Sequence, residues 1–148
     1  MGVEFRPYCF EFLNKLRHYY EIFIFTASEK NYAKAIVNKL DPKRDIIKKI
    51  FARKDCLRTK NGYFIKDLNM FSNIDLKNVI IVDDTVHSFA RNINNGIPIL
   101  KWLDDKQDQE LNYLSQYLID LSSELDVRES LKKRFMLELL AFTPFDII

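Results

Sequence analysis

The heptapeptide Val79-Ile80-Ile81-Val82-Asp83-Asp84-Thr85 divides into two chemically unlike parts. Its four branched apolar residues predict a strand buried on both faces, the pattern of a parallel sheet rather than of an alternating, half-exposed antiparallel one. Two adjacent carboxylates follow where the strand runs out. In open α/β sheets ligands bind outside the carboxyl ends of the strands. Carboxylates withdrawn from water are costly unless paired or bound to a cation, so Asp83 and Asp84 suit a hard metal such as Mg²⁺. Capping of the next helix is the alternative that their spacing equally allows.

Working outward, Ile22-Phe23-Ile24-Phe25 reads as a second continuous apolar strand, ended by Thr26-Ala27-Ser28. Ser28 is expected to cap a helix running to about Leu40, with Tyr32, Ala33, Ile36, Val37 and Leu40 on its apolar face. Asp41-Pro42 stops that helix. Before it, Val3 to Phe5 reads as a short extended piece and Pro7 opens a helix over about Tyr8 to His18. Asn61-Gly62 is a strong hairpin signal, with Tyr63-Phe64-Ile65 on the return strand. Asn94-Asn95-Gly96 turns the chain into a last strand, Ile97 to Leu100, and two helices follow over roughly Lys106 to Leu121 and Val127 to Leu140. Apolar strands separated by helices predict an α/β fold with a mostly parallel central sheet. The ends of Ile22–Phe25 and Val79–Val82 then fall on one edge of that sheet, so Thr26 and Asp83-Asp84 are expected to face one crevice.

The 148 residues, 47% of them hydrophobic, suffice for one domain with a real core, expected to span residues 1–148. A net charge of +2 gives no bulk electrostatic case for nucleic acid or membrane as partner. Cys9 and Cys56 are too few and too far apart in sequence for a disulfide framework or a zinc site, which fits reduced thiols in an intracellular protein. No run approaches the roughly 18 apolar residues of a membrane-spanning helix, and no signal peptide is visible.

The candidate chemistry is phosphate chemistry. Thr26 offers a hydroxyl, and the helix after it offers free N–H groups and a positive dipole end. Lys66 can set a cation against a phosphate oxygen or a nucleophile. Asp83 and Asp84 can hold Mg²⁺, which neutralises charge on a transferring phosphoryl group. The basic segment from Asp45 to Lys60 is either a solvated face or a rim for an anionic partner.

These residues, in this order, resemble the haloacid-dehalogenase (HAD) superfamily, and more narrowly its FCP/SCP-type, NLI-interacting-factor-like phosphatases. Those enzymes act on the phosphorylated C-terminal tail of RNA polymerase II and on other phosphoproteins. The matches are Arg6-Pro7, Phe25-Thr26-Ala27-Ser28 with Tyr32-Ala33, Leu40-Asp41-Pro42, Lys66-Asp67-Leu68 and Ile81-Val82-Asp83-Asp84. Trp102 with Asp104-Asp105, Asp108, Glu110 and Leu111 completes them. The resemblance implies a HAD-like three-layer sandwich with a small hairpin insertion and no large cap domain. It implies catalytic roles for Thr26 and Lys66, and substrate contacts from Thr26, Ala27, Ser28, Tyr32 and Arg53. Asp84, assisted by Asp83, becomes a Mg²⁺ ligand. The partner becomes a phosphorylated protein or peptide segment, with no nucleic acid and no membrane segment, and the compartment nuclear or cytoplasmic rather than mitochondrial. Glu29 departs from the small polymerase-tail phosphatases, which tend to be apolar there.

The larger departure is the family's nucleophile, the first Asp of an Asp-x-Asp-x-Thr/Val motif on the first strand. No two aspartates of this sequence are separated by a single intervening residue. Without an activated carboxylate the covalent route has no first step, so the expectation is a Mg²⁺-dependent serine/threonine phosphatase domain, truncated before its first motif strand and inactive by itself. The alternative is a non-catalytic interaction protein on the same fold, like the phosphatase-like subunit of the mitochondrial inner-membrane translocase.

Overall fold

A computed structural model describes residues 2–140. The described chain forms two compact units, one made of residues 2–54 with Leu100–Ser123, the other of Asp55–Ile99 with residues 124–140.

In the first unit, helix α1 (Cys9–Leu16) is followed by strand β1 (Ile22–Phe25), helix α2 (Lys30–Leu40) and strand β2 (Ile47–Phe51); helix α3 (Glu110–Leu121) returns to it. Leu13 and Leu16 form the buried stripe of α1, which packs on α3, and Ala33 and Val37 form that of α2, which packs on β2. β1 and β2 run parallel. Arg6 ties the unit's beginning to its distant return segment, donating from Nε and Nη2 to Asp108 at 2.7 and 3.0 Å and from Nη1 to the Leu100 carbonyl at 2.6 Å.

The second unit holds the hairpin β3 (Leu57–Arg58) and β4 (Phe64–Ile65), the parallel pair β5 (Ile81–Asp83) and β6 (Gly96–Pro98), and helix α4 (Val127–Phe135). Leu68, Ile81, Phe89 and Leu137 form a buried cluster in it, with Phe71, Leu76, Val79, Val86, Ile93 and Phe135 packed around them. Gly96 is obligatory here, because a Cβ at that position would lie 2.0 Å from the fully buried Phe89 ring.

Several elements differ from the sequence expectations for local reasons. β2 was hidden because Ile47-Lys48-Lys49-Ile50-Phe51 neither alternates nor runs apolar; a bulge breaks its register against β1. β5 begins at Ile81 rather than Val79, since Val79 closes the 3-10 turn Leu76–Asn78 and its carbonyl, with that of Leu76, accepts from Asn95 Nδ2. Ser28 does not cap α2: Glu29 occupies the cap position, and Ser28 is instead bound within the Thr26 turn. Val3 to Phe5 forms no strand, and the last strand is Gly96–Pro98. α3 starts at Glu110, and α4 stops at Phe135, where Met136 turns left-handed with φ 51°. Among the described residues the strands form three two-stranded sheets, two of them parallel.

Candidate active site

The sequence places the candidate residues at the ends of two apolar strands, and each unit carries one of those ends. In the first unit, pairing continues one residue past β1, the Thr26 N–H donating to the Phe51 carbonyl at 2.9 Å. Thr26 Oγ1 accepts the Ser28 N–H at 3.1 Å, a local turn of the kind that Thr side chains form where a helix has not yet begun. Arg53 closes the loop from the other side. Its N–H donates to the Ser28 carbonyl at 3.0 Å and its Nε to the Ala27 carbonyl at 2.8 Å, while Nη1 pairs with Glu29 Oε1 at 2.9 Å. Thr26, Ala27, Ser28 and Arg53 are therefore one bonded group leading into α2. Glu29, the residue that departs from the family pattern, is the counterion of Arg53. Tyr32 stands on the first turn of α2 and is 57% exposed.

In the second unit the Lys66 N–H donates to the Ser88 carbonyl at 2.7 Å, fastening the end of β4 to the 3-10 segment that follows β5. From there Lys66 Nζ reaches Asp83 Oδ2 at 2.5 Å, and the two side chains are only 13% and 8% exposed. The other Asp83 oxygen accepts the Thr85 N–H at 2.9 Å. Asp84 is exposed, and its Oδ1 accepts the Thr85 hydroxyl at 3.1 Å. The two neighbours therefore stand in different surroundings. Asp83 is the counterion of Lys66 with its remaining oxygen in a turn; Asp84 is the accessible carboxylate. Burial makes Asp83 and Lys66 depend on each other, because removing either leaves an uncompensated charge.

Ser88 was not singled out from the sequence, since a serine in a short polar segment carries no distinguishing signal; it matters through its carbonyl. Asp67, beside Lys66, is structural: it caps the turn at Leu68–Met70 by accepting the Asn69 N–H and lies 3.5 Å from Arg91. Cys9 is no substitute nucleophile, because burial, with Glu11 adding to it, pushes its thiol up to about 11.

The donor set can be compared with what Mg²⁺ needs. No cluster of three or more His, Cys, Asp or Glu exists among the described residues, so no all-protein cage is present. Mg²⁺ keeps several waters and commonly takes one or two carboxylates with substrate phosphate oxygens. Asp84 fits that mode as a single carboxylate ligand, whereas Asp83 is engaged by Lys66.

Residues 1–128 match the family model described as NLI interacting factor-like phosphatase. The chain is 38% identical over 132 residues to CTD small phosphatase-like protein 2 of Dictyostelium discoideum, covering 89% of this chain and 23% of that protein. It is 34% identical over 128 residues to CTD nuclear envelope phosphatase 1 of Xenopus tropicalis, covering 86% of this chain and 52% of that one. Its fold matches the structure of Fcp1, an essential RNA polymerase II CTD phosphatase, with a TM-score of 0.60 at 23% identity over 95% of this chain and 39% of that chain. The fold is accordingly HAD-like α/β with parallel strands. The chain spans between about a quarter and about half of the length of these relatives.

Proposed function

Because this chain belongs to the NLI interacting factor-like phosphatase family, we propose that it carries phosphate- and metal-binding elements of a phosphoprotein phosphatase domain acting on phosphoserine or phosphothreonine. The observation that supports this reading best is the Lys66–Asp83 pair at a strand's carboxyl end, with the exposed carboxylate of Asp84 beside it. Lys66 has three N–H donors and one described acceptor, so it retains directions for a phosphate oxygen. Asp83 holds that ammonium in place. In the first unit, Thr26 with the N–H groups at the start of α2 is itself a phosphate-binding element. Ala27, Ser28, Arg53 and Tyr32 line the approach of the peptide, and Arg53 acts mainly by fixing the loop that presents Thr26. Asp84 is the residue to hold Mg²⁺, which when bound offsets charge on the phosphoryl group.

Hydrolysis through an aspartyl-phosphate also needs a carboxylate nucleophile, and no Asp-x-Asp pair occurs in these 148 residues. The second reading is a non-catalytic binding protein on the same fold. Relatives named for the nuclear envelope support a nuclear or cytoplasmic setting.

The chain as it stands is expected to give no turnover of para-nitrophenyl phosphate with Mg²⁺. It is expected to bind inorganic phosphate, followed by calorimetry, and to lose roughly tenfold in affinity on Thr26→Ala or Lys66→Met, the loss of one charge-assisted hydrogen bond. Robust turnover abolished by Asp84→Ala would show that a nucleophile lies within the chain after all. Phosphate binding indifferent to both substitutions would leave the scaffold reading.

A further inference from the structure

We propose that the turn between α2 and β2 is a docking site for an acidic protein segment, at the opposite end of the β1–β2 sheet from Thr26. Between Lys30 and Lys54 nine basic residues accompany two acidic ones, Asp41 and Asp45, in a chain whose net charge is only +2. The structure buries one of these acids and sets the other, half exposed, beside a further cation. Asp41 is 2% exposed and accepts the N–H groups of Asp45, Ile46 and Ile47 at 3.3, 3.0 and 2.8 Å. Burial alone would raise its carboxyl, but those backbone donors prevail and hold it below the usual range. Asp45 is turned to Arg17, which bonds its carbonyl at 3.0 Å and lies 3.7 Å from its carboxylate.

What the turn shows to solvent is therefore an excess of positive charge. Lys39, Lys43, Arg44, Lys48 and Lys49 are all exposed. Among the described residues none of the four lysines forms an ion pair, and Arg44 bonds only the neutral Asn38 side chain, at 3.3 Å. The strand itself contributes to the display. Ile22 faces Ile47 and Phe23 faces Lys49, so Lys48 is the extra residue of a bulge, and both consecutive lysines reach the surface. Bulges commonly re-aim side chains in this way. Arg17's hold on Asp45 brings the end of α1 to the same turn, and there Tyr19, 49% exposed, supplies an amphipathic ring of the kind that anchors protein interfaces.

Two features point to an acidic polypeptide. The cations are mostly lysine ammoniums, point charges without the planar fork that selects phosphodiesters and stacked bases. The patch is also a compact cluster around one turn rather than the long stripe that tracks a nucleic acid backbone. Because β1 and β2 are parallel, the turn feeds their amino ends while Thr26 follows the carboxyl end. The five residues of β2 separate the two by roughly 15 Å. The docking site uses none of Thr26, Lys66, Asp83 or Asp84, so it holds or fails independently of the phosphatase reading.

The test is fluorescence anisotropy of a labelled deca-glutamate peptide with the whole chain at about 50 mM NaCl, where screening is weak. Binding is expected, to be weakened about tenfold or more by K39E/K43E/R44E/K48E and less than about twofold by the same charge change elsewhere, K77E/K101E/K106E/K133E. Should the first variant fail to fold by circular dichroism, K39Q/K43Q/K48Q is expected to reduce binding severalfold. Absence of binding, equal loss in both reversal variants, loss on Thr26→Ala, or tighter binding of an oligouridine RNA than of the peptide would each overturn the proposal.

Discussion

Two ion pairs, one in each unit, are nearly equal in burial and unlike in everything else. Arg6 and Asp108 are 12% and 13% exposed; Lys66 and Asp83 are 13% and 8% exposed. Arg6 is a planar fork with three of its donors engaged, two on the carboxylate and one on a carbonyl. Asp108 is held well below the usual carboxylate range, chiefly by its hydrogen bond to Arg6 and against the opposing effect of burial, and it also accepts the Glu110 N–H at the start of α3. This is a closed contact that joins segments 102 residues apart. Lys66 makes one described bond from a group with three donors, next to an exposed second carboxylate. Equal burial therefore does not imply equal purpose: a bidentate guanidinium fork that joins distant segments suits structure, and an ammonium held by a single bond beside an exposed carboxylate suits a polar ligand site.

The comparison can be broken from either side. The largest effect is expected from Arg6→Ala, which strands Asp108 and frees the Leu100 carbonyl; the cost is on the order of 3 kcal/mol of stability, read from the urea midpoint. A loss below about 1 kcal/mol would mean the fork contributes no more than a surface pair.

An intermediate effect is expected at the other pair. Lys66→Met alone leaves Asp83 unpaired and is expected to cost about 2 kcal/mol, whereas Lys66→Met with Asp83→Leu restores most of that loss, as paired charges replaced by apolar residues often do. The double variant is nevertheless expected to lose phosphate binding. Retained phosphate binding in that folded double variant would remove Lys66 from the proposed site.

The smallest effect concerns pH. The carboxyl groups of Asp108 and Asp41 titrate below their unfolded value near 3.9. A depressed folded pKa contributes stability that is fully present above the unfolded pKa and is lost as pH falls through the folded one. Melting temperature is thus expected to be level from neutral pH down to about 5 and then to fall. The acid limb should be shallower in Arg6→Ala; an unchanged limb would assign it to Asp41 and other carboxylates.

Much of the second pair was legible in advance. Lys66 and Asp83-Asp84 were singled out from a lysine after a hairpin and two carboxylates after an apolar run, because short strands announce their carboxyl ends. The first pair was half legible: Arg6 and Asp108 each stood in a family match, yet nothing in the sequence joined them. Arg53 carries the opposite lesson, since the family pattern draws attention to its position while its bonds to Ala27, Ser28 and Glu29 leave no mark in the sequence. Asp41 was read as a helix stop, and its buried role as acceptor of three backbone N–H groups was invisible, because those donors acquire their directions only when the turn closes.

What the sequence by itself determined was the family, the α/β class and the residues at the strand ends, including Asp83-Asp84. All of these follow from local apolar runs, turn residues and short motifs whose meaning lies within a few positions. Only the tertiary structure divided the labour between the two aspartates. Whether a carboxylate after a strand holds a metal, caps a helix or balances a lysine depends on which cation the fold carries to it. Here a backbone bond from Lys66 to Ser88 fastens the lysine's strand end beside Asp83 and leaves Asp84 facing solvent.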